Sequence, residues 1–441
     1  MNYDVRSLWR ISFPVIVSML LQQLIGITDV IYLGRLSSVA LGASALGSTY
    51  FFSFFVLIAG FTFGAQIIIS RRNGEGNFKK IGAVFYQGLF FLLICAVFLI
   101  AVSRLFSPRL LQNLIREKSV LEATLAYTDW RIFGLISTSF LMMFRAFFVG
   151  IAKTFVLQFI SVVMLGANII LNYVLIFGFG FIKPLGIEGA AIASVLAELL
   201  AVLACIIYFI FKVENKKFGL DKIVWKNFKL LKSILDLSIW TMLQQFASVA
   251  SWFMFFVAVE HLGATNLAIA NILKNSAGIP WIIVVSFGAT AGTVTGNLIG
   301  ENRTSEVLVA NKQIIKLNTV VIFGLLVLFS AFYYPILRIY TNDYDLIHQA
   351  IPAYLTALLC YIPLFSGWIW FQAVSATGHT KYTMFIELIA MVFYTLFIAT
   401  FILYLRTPLY ICMLSDGLYN LVVYIFSKRY MVSLKWQGKK F

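Results

Sequence analysis

The chain has 441 residues, of which 61% are hydrophobic and only 12% charged, with a formal net charge of +16, whereas a soluble domain is nearer a quarter charged. Such a composition excludes an ordinary soluble enzyme. It also excludes a membrane β-barrel, because runs such as LFFLLICAVFLIAV at 89–102 do not alternate in polarity as barrel strands must.

Apolar stretches of about 20 residues, long enough to cross a bilayer as a helix, recur along the whole length. Twelve fall near 11–33, 46–69, 82–103, 128–150, 155–177, 188–211, 236–259, 266–297, 314–336, 352–375, 383–404 and 408–427. The first lacks a small-residue cleavage site and is long enough to span, so it reads as a retained helix rather than a signal peptide. The fold class predicted is an all-α polytopic membrane protein. With the amino terminus inside, most Lys and Arg fall on inner segments: Arg71, Arg72, Lys79 and Lys80 in one, and Lys212, Lys216, Lys217, Lys222, Lys226, Lys229 and Lys232 in another. That is the positive-inside asymmetry, which places both termini in the cytoplasm and accounts for the charge without nucleic acid.

The longest polar connection, 212–235, divides the chain into an N-lobe at 1–211 and a C-lobe at 236–441, each with six spans. The halves repeat at an offset of 226 positions: Ser12 falls on Ser238, Leu41 on Leu267, Gly74-Glu75 on Gly300-Glu301, and Thr154 on Thr380. Six spans being even, both halves enter from the same side, and duplication predicts lobes related by a pseudo-two-fold axis along the membrane normal. Parallel repeats of this kind bind substrate between the halves and alternate access by rocking.

Polar groups can be placed by depth from the helical rise of about 1.5 Å per residue. A carboxylate in a span costs roughly 2.5–3.5 kcal/mol at the helix centre on insertion scales, so Asp29, in the outer part of the first span, marks a function. Asn168 and Asn172 in the fifth span, and Ser194 and Glu198 in the sixth, are each spaced i, i+4 and so share a helix face at similar depth. A carboxylate, two carboxamides and a hydroxyl form an oxygen cluster suited to a proton or to Na+, the ion falling at Asp29, Asn168 and Asn172.

Gln22, Gln23, Gln244 and Gln245 place amides along the cavity expected between the lobes. Aromatic residues, 16% of the chain, suit flat or cationic organic molecules in such a cavity. Glu387 lies close enough to the inner end of its span to snorkel, whereas Asp416 sits deeper, opposite Lys274. Asp236 and Glu260 fall at span ends and read as solvated. Gly278 with Pro280, and Pro363 with Gly367, are candidate kinks. The four cysteines sit in separate spans without CxxC spacing and the three histidines in separate loops, so neither a resident metal nor a disulfide framework is indicated.

Pro14 followed by Asp29 and then GRLSSVALGASALG, the stretch NIILNYVLIFGFGFIKPLGIEGAAIAS, and the turns NGEGN and IGENR together resemble the multidrug and toxic compound extrusion (MATE) family across nearly the whole length. The resemblance implies a twelve-helix, two-lobed secondary transporter of the bacterial inner membrane. It implies export of organic cations and amphipathic drugs against inward H+ or Na+, with no cofactor, and a monomer in the bilayer. The family's N-lobe cation site maps onto Asp29, Asn168, Asn172 and Ser194, with Glu198 one turn further. Some relatives carry a glutamate in the seventh span, where this chain reads TMLQQFASVAS; ion coupling is therefore assigned to the N-lobe.

Two rival readings remain. A lipid-linked oligosaccharide flippase of the same superfamily shares the span count but lines its cavity with Arg or Lys, for which Arg145 is the main candidate in the first half. A membrane-embedded enzyme lacks support, since no GxxxxGK[ST], HExxH or GxSxG occurs.

Overall fold

Inside hydrocarbon every backbone amide must find its partner within the protein, and uninterrupted apolar sequence does this by becoming helix. The computed structural model describes residues 4–115, 117–180, 182–223, 228–341 and 343–437; Lys226 of the basic connection lies outside these. Among the described residues the chain is helical, with only an isolated bridge between Phe179 and Ile182. Among the described residues eleven helices are long and apolar enough to cross a membrane, or twelve spans if a pair of helices bent by 49° is counted as one.

One compact unit is Pro14–Leu235. It holds the greater part of α1 (Val5–Leu36), then α2 (Ser38–Gly74), α3 (Lys79–Leu114), α4 (Lys118–Arg131), α5 (Gly134–Gly150), α6 (Phe155–Phe177) and α7 (Gly186–Lys212). The bent pair is α4 and α5, so the span expected at 128–150 begins ten residues earlier, at Lys118. Helix α6 buries Leu157, Ser161, Asn168, Asn172 and Ile176 on one stripe, and α7 answers with the small residues Ala190, Ala193, Ser194, Ala197 and Ala201. Small side chains let membrane helices approach closely. At Gly189 the approach is close: a Cβ there would stand 2.4 Å from the Leu175 carbonyl oxygen, which already accepts the Leu185 amide at 2.9 Å.

The aromatic surplus of this unit is spent largely on its interior. Phe85, Phe144, Phe147 and Phe209 interlock with centroid separations of 5.2 to 5.7 Å. The start of the inter-lobe connection docks on the same end, where Phe218 accepts the Gly82 amide at 2.8 Å and Leu220 accepts the Tyr86 hydroxyl at 2.7 Å. Gly219, at φ +63° and with no room for a Cβ beside the Lys79 carbonyl, makes this docking possible.

The other unit joins Met1–Phe13 to Asp236–Phe441. Its helices are the larger part of α8 (Phe228–Glu260), α9 (Ala264–Ser276), α10 (Gly278–Gly300), α11 (Val307–Ala331), α12 (Tyr333–Arg338), α13 (Tyr344–Ala376), α14 (Thr380–Phe397), α15 (Leu409–Cys412) and α16 (Leu414–Val432). The stretch expected as one span at 266–297 is two helices meeting at Ala277. Pro280 therefore sits in the first turn of α10 rather than at a mid-helix kink, a position where its missing N–H leaves no bond unmade. Pro363 does lie inside α13, which runs unbroken from Tyr344 to Ala376.

The duplication read from the sequence recurs in backbone conformation. Gly76 (φ +70°) and Asn302 (φ +58°) end α2 and α10 in the left-handed region, and Ala152 (φ +58°) and Gly378 (φ +87°) end α5 and α13 in the same way. Each pair is separated by the same 226 positions as Ser12 and Ser238, both of which are fully buried. Glu75 and Glu301 close these turns, Glu75 accepting from Arg72 at 2.7 Å and Glu301 from Arg303 at 2.7 Å. Burial pushes the Glu75 carboxyl up, but hydrogen bonds from Asn77 and Arg72 outweigh it and hold the group below the usual carboxylate range.

Candidate functional site

Asp29 stands on α1 with both carboxylate oxygens occupied. Asn172 donates to Oδ1 at 2.6 Å and Asn168 at 3.2 Å, while the Ser194 hydroxyl donates to Oδ2 at 3.3 Å. The two amides are tied to each other, Asn172 Nδ2 donating to Asn168 Oδ1 at 3.0 Å. The spacing that put Asn168 and Asn172 on one face of α6 thus delivers both to one carboxylate. Helix α7, held against α6 at Gly189, brings Ser194 from the other side. Asn172 Oδ1 is buried without a hydrogen-bond donor, so the cluster keeps one oxygen uncommitted.

Glu198 shares the α7 face with Ser194 but is otherwise engaged. Arg131 donates to Oε1 at 2.7 Å and Ser137 to Oε2 at 2.6 Å, and the Arg131 guanidinium lies 3.7 Å from the centre of the Phe51 ring. Arg131 carries no functional assignment in the sequence reading, because it falls near the outer end of the span drawn at 128–150. With α4 starting at Lys118, Arg131 is thirteen residues into its helix, roughly 20 Å along. The signal that marks it is the kink itself: Gly134 has no side chain, and a Cβ there would meet Arg131 Nη1 at 2.1 Å and Glu198 Oε2 at 3.0 Å.

These groups line a cavity of about 280 Å³ inside the first unit, walled by Phe51, Phe55 and Phe144 and carrying Gln22, Asp29, Arg131, Arg145, Asn168, Ser194 and Glu198. Gln23 is exposed and does not line it. In the second unit Gln244 is buried and Gln245 half-buried, and neither belongs to this cavity. Among the described residues no three His, Cys, Asp or Glu side chains gather in metal-binding geometry.

The second unit holds its own buried charges. Glu387 does not snorkel: it is fully buried, its Oε1 accepting from Ser248 at 2.6 Å and Tyr419 at 2.5 Å. The reason is packing, since α14 lies against α16 and α13 and Glu387 meets Tyr419 of α16 and Ser248 of α8. Lys274 and Asp416 pair at 2.5 Å, with Tyr394 donating to the same carboxylate at 3.3 Å. Asp236 and Glu260 are exposed.

The profile of the MatE family matches residues 14–174 and 241–400, one copy in each half. A probable multidrug resistance protein NorM from Shewanella oneidensis is 24% identical over 366 residues, covering 81% of this chain and 78% of that protein. One from Thermotoga maritima is 25% identical over 392 residues, covering 87% and 82%. Among solved structures, a MOP superfamily transporter from Pyrococcus furiosus superposes with a TM-score of 0.88 at 19% identity, covering 98% of this chain and 96% of that one. An outward-facing multidrug resistance MATE transporter superposes at 0.85 and 19% identity, with coverage of 98% and 96%. The chain is a multi-pass membrane transporter, not an enzyme, and it belongs to the MatE family.

Proposed function

We propose that the protein is a secondary active exporter of amphipathic organic molecules, exchanging them for H+ or Na+ taken up at Asp29. The observation that carries this reading is the convergence of Asn168, Asn172 and Ser194 on one carboxylate in the wall of a cavity inside the first unit. An intramembrane carboxylate is retained at a cost, and such groups mark ion pathways. The relatives named multidrug resistance proteins supply the substrate class.

The chemistry follows from how the carboxylate is held. Three donors on two oxygens solvate the charge in place of water. Protonating Asp29, or seating Na+ against its oxygens and the uncommitted Asn172 Oδ1, competes with those donors. The amides then pair elsewhere, which loosens the tie between α1 and α6–α7. A change of ion occupancy so becomes a change in helix packing, the physical requirement of alternating access. Both termini lie in the cytoplasm of a bacterial inner membrane on this reading, as the basic inner segments indicate.

The test is efflux of a fluorescent organic cation from cells, with proton and sodium gradients collapsed separately. Asp29→Asn keeps the hydrogen-bonding shape but cannot carry the ion's countercharge; gradient-driven efflux is expected to fall at least tenfold with membrane abundance unchanged. Undiminished export by that variant sinks the proposal.

A further inference from the structure

The cavity of the first unit holds two arginines that are treated differently. Arg131 is neutralised by Glu198 at 2.7 Å. Arg145, on α5, also lines the cavity, yet among the described residues it makes no ion pair; its hydrogen bond runs from Nη2 to the thioether of Met19 at 3.4 Å, and sulfur is a weak acceptor. A cation at membrane depth without a carboxylate is expensive and, where retained, faces an aqueous cavity used by the protein. Arg145 lies five residues from the inner end of α5, close enough for an arginine to snorkel outward. It points instead at Met19, midway along α1.

The charges of the cavity then sort into three. Arg131 and Glu198 cancel. Asp29 remains as a negative pole, and Arg145 as a positive one beside Met19. Met19 and Asp29 are ten positions apart on α1, roughly 15 Å along the helix. The same cavity is lined by aromatic and thioether side chains, among them Phe51, Phe144, Met142 and Met164. The complement of such a wall is a flat, apolar body with a cationic group at one end and an acidic group at the other.

We propose that Arg145 is a specificity-determining residue that pairs with the carboxylate of a zwitterionic aromatic substrate, whose cationic portion lies toward Asp29. The proposal rests on the export reading for its substrate class, but not for its test, because binding is measured without transport. A guanidinium–carboxylate bond is charge-assisted and bidentate, and stronger than a neutral hydrogen bond.

The probes are tetramethylrhodamine bearing its free carboxylate and the methyl ester of the same dye, which differ only in that acid. Their affinities are read by fluorescence anisotropy on the full chain in phosphatidylcholine nanodiscs. The acid is expected to bind about tenfold more tightly than the ester. Arg145→Gln is expected to erase that preference by weakening binding of the acid without weakening that of the ester, and Arg145→Lys to restore part of it. Equal affinity of the two dyes for the unaltered protein overturns the proposal, as does a parallel loss of both in Arg145→Gln. Adding phosphatidylglycerol is expected to leave acid binding as it was; displacement of the acid by that lipid assigns Arg145 to a lipid phosphate and overturns it too. Should the nanodisc preference hold while cells export neither dye, the export reading fails and the assignment of Arg145 stands.

Discussion

Arg131, the last residue of α4, and Glu198, in the middle of α7, meet at 2.7 Å with both side chains largely shielded from solvent. The bend between α4 and α5 is what permits it. A carboxylate that sequence spacing assigned to the ion cluster is committed instead to a structural tie, anchored further by Ser137 at 2.6 Å. The ion cluster is left with Asp29 as its one carboxylate.

Breaking that tie from one side strands a charge in the interior, at a cost on the order of 3–5 kcal/mol. Arg131→Gln and Glu198→Gln are each expected to lower the unfolding temperature of the detergent-solubilised protein by several degrees. The double substitution leaves two neutral amides and is expected to recover most of the loss. Equal melting of the two single variants and the unaltered protein contradicts the structural assignment of Glu198.

The close contact at Gly189 gives a second test, one that connects packing to the ion site. Adding a methyl group there sets carbon 2.4 Å from the backbone oxygen of Leu175, which no rotamer change relieves, so α6 and α7 must separate. Overpacking of this kind costs about 1–3 kcal/mol. The displacement also withdraws Ser194 from Asn172, which ride on these two helices. Gly189→Ala is therefore expected to impair ion-driven efflux more than Ala193→Gly, which removes a buried methyl and loosens the helix backbone by about 1 kcal/mol but forces no separation of α6 from α7. Comparable efflux from the two variants counts against the geometry.

In the second unit, Lys274 and Asp416 form a pair whose carboxylate is about a third exposed, so the charge left by removing its partner is partly screened. Lys274→Met is expected to destabilise by about 1–3 kcal/mol, and Asp416→Asn by a similar amount. The pair Lys274→Met with Asp416→Asn is expected to show a coupling energy in a double-mutant cycle of melting data. Strict additivity removes the interaction from the account.

Much of the membrane architecture was legible because apolar length is an additive property of sequence: eleven of the helices announce themselves by composition. The Asp29 cluster was legible for a related reason, since i, i+4 spacing on α6 fixes a face and the rise per residue fixes a depth. What composition conceals is interruption. The breaks at Ile132–Phe133 and at Ala277 fall in runs as apolar as their neighbours, and they decide that Arg131 reaches Glu198 and that Pro280 starts a helix. Glu387 escaped correct placement because depth along one helix says nothing about which neighbour it presses against. Arg145 was visible as a residue but not as one without an ion pair among the described residues, since that depends on where every other carboxylate is spent.

The first helix changes allegiance partway along. Residues up to Phe13 cluster with the second unit, where Ser12 bonds Thr290 at 2.9 Å and Trp9 packs on Phe287 at 6.2 Å between ring centres; from Pro14 onward the same helix belongs to the first. Cutting the gene at the basic connection would therefore not yield two self-sufficient products. Residues 4–13 leave the ribosome ahead of the first bundle and find their partners only after more than two hundred further residues have followed, which couples completion of the carboxy-terminal bundle to a segment made before the amino-terminal one.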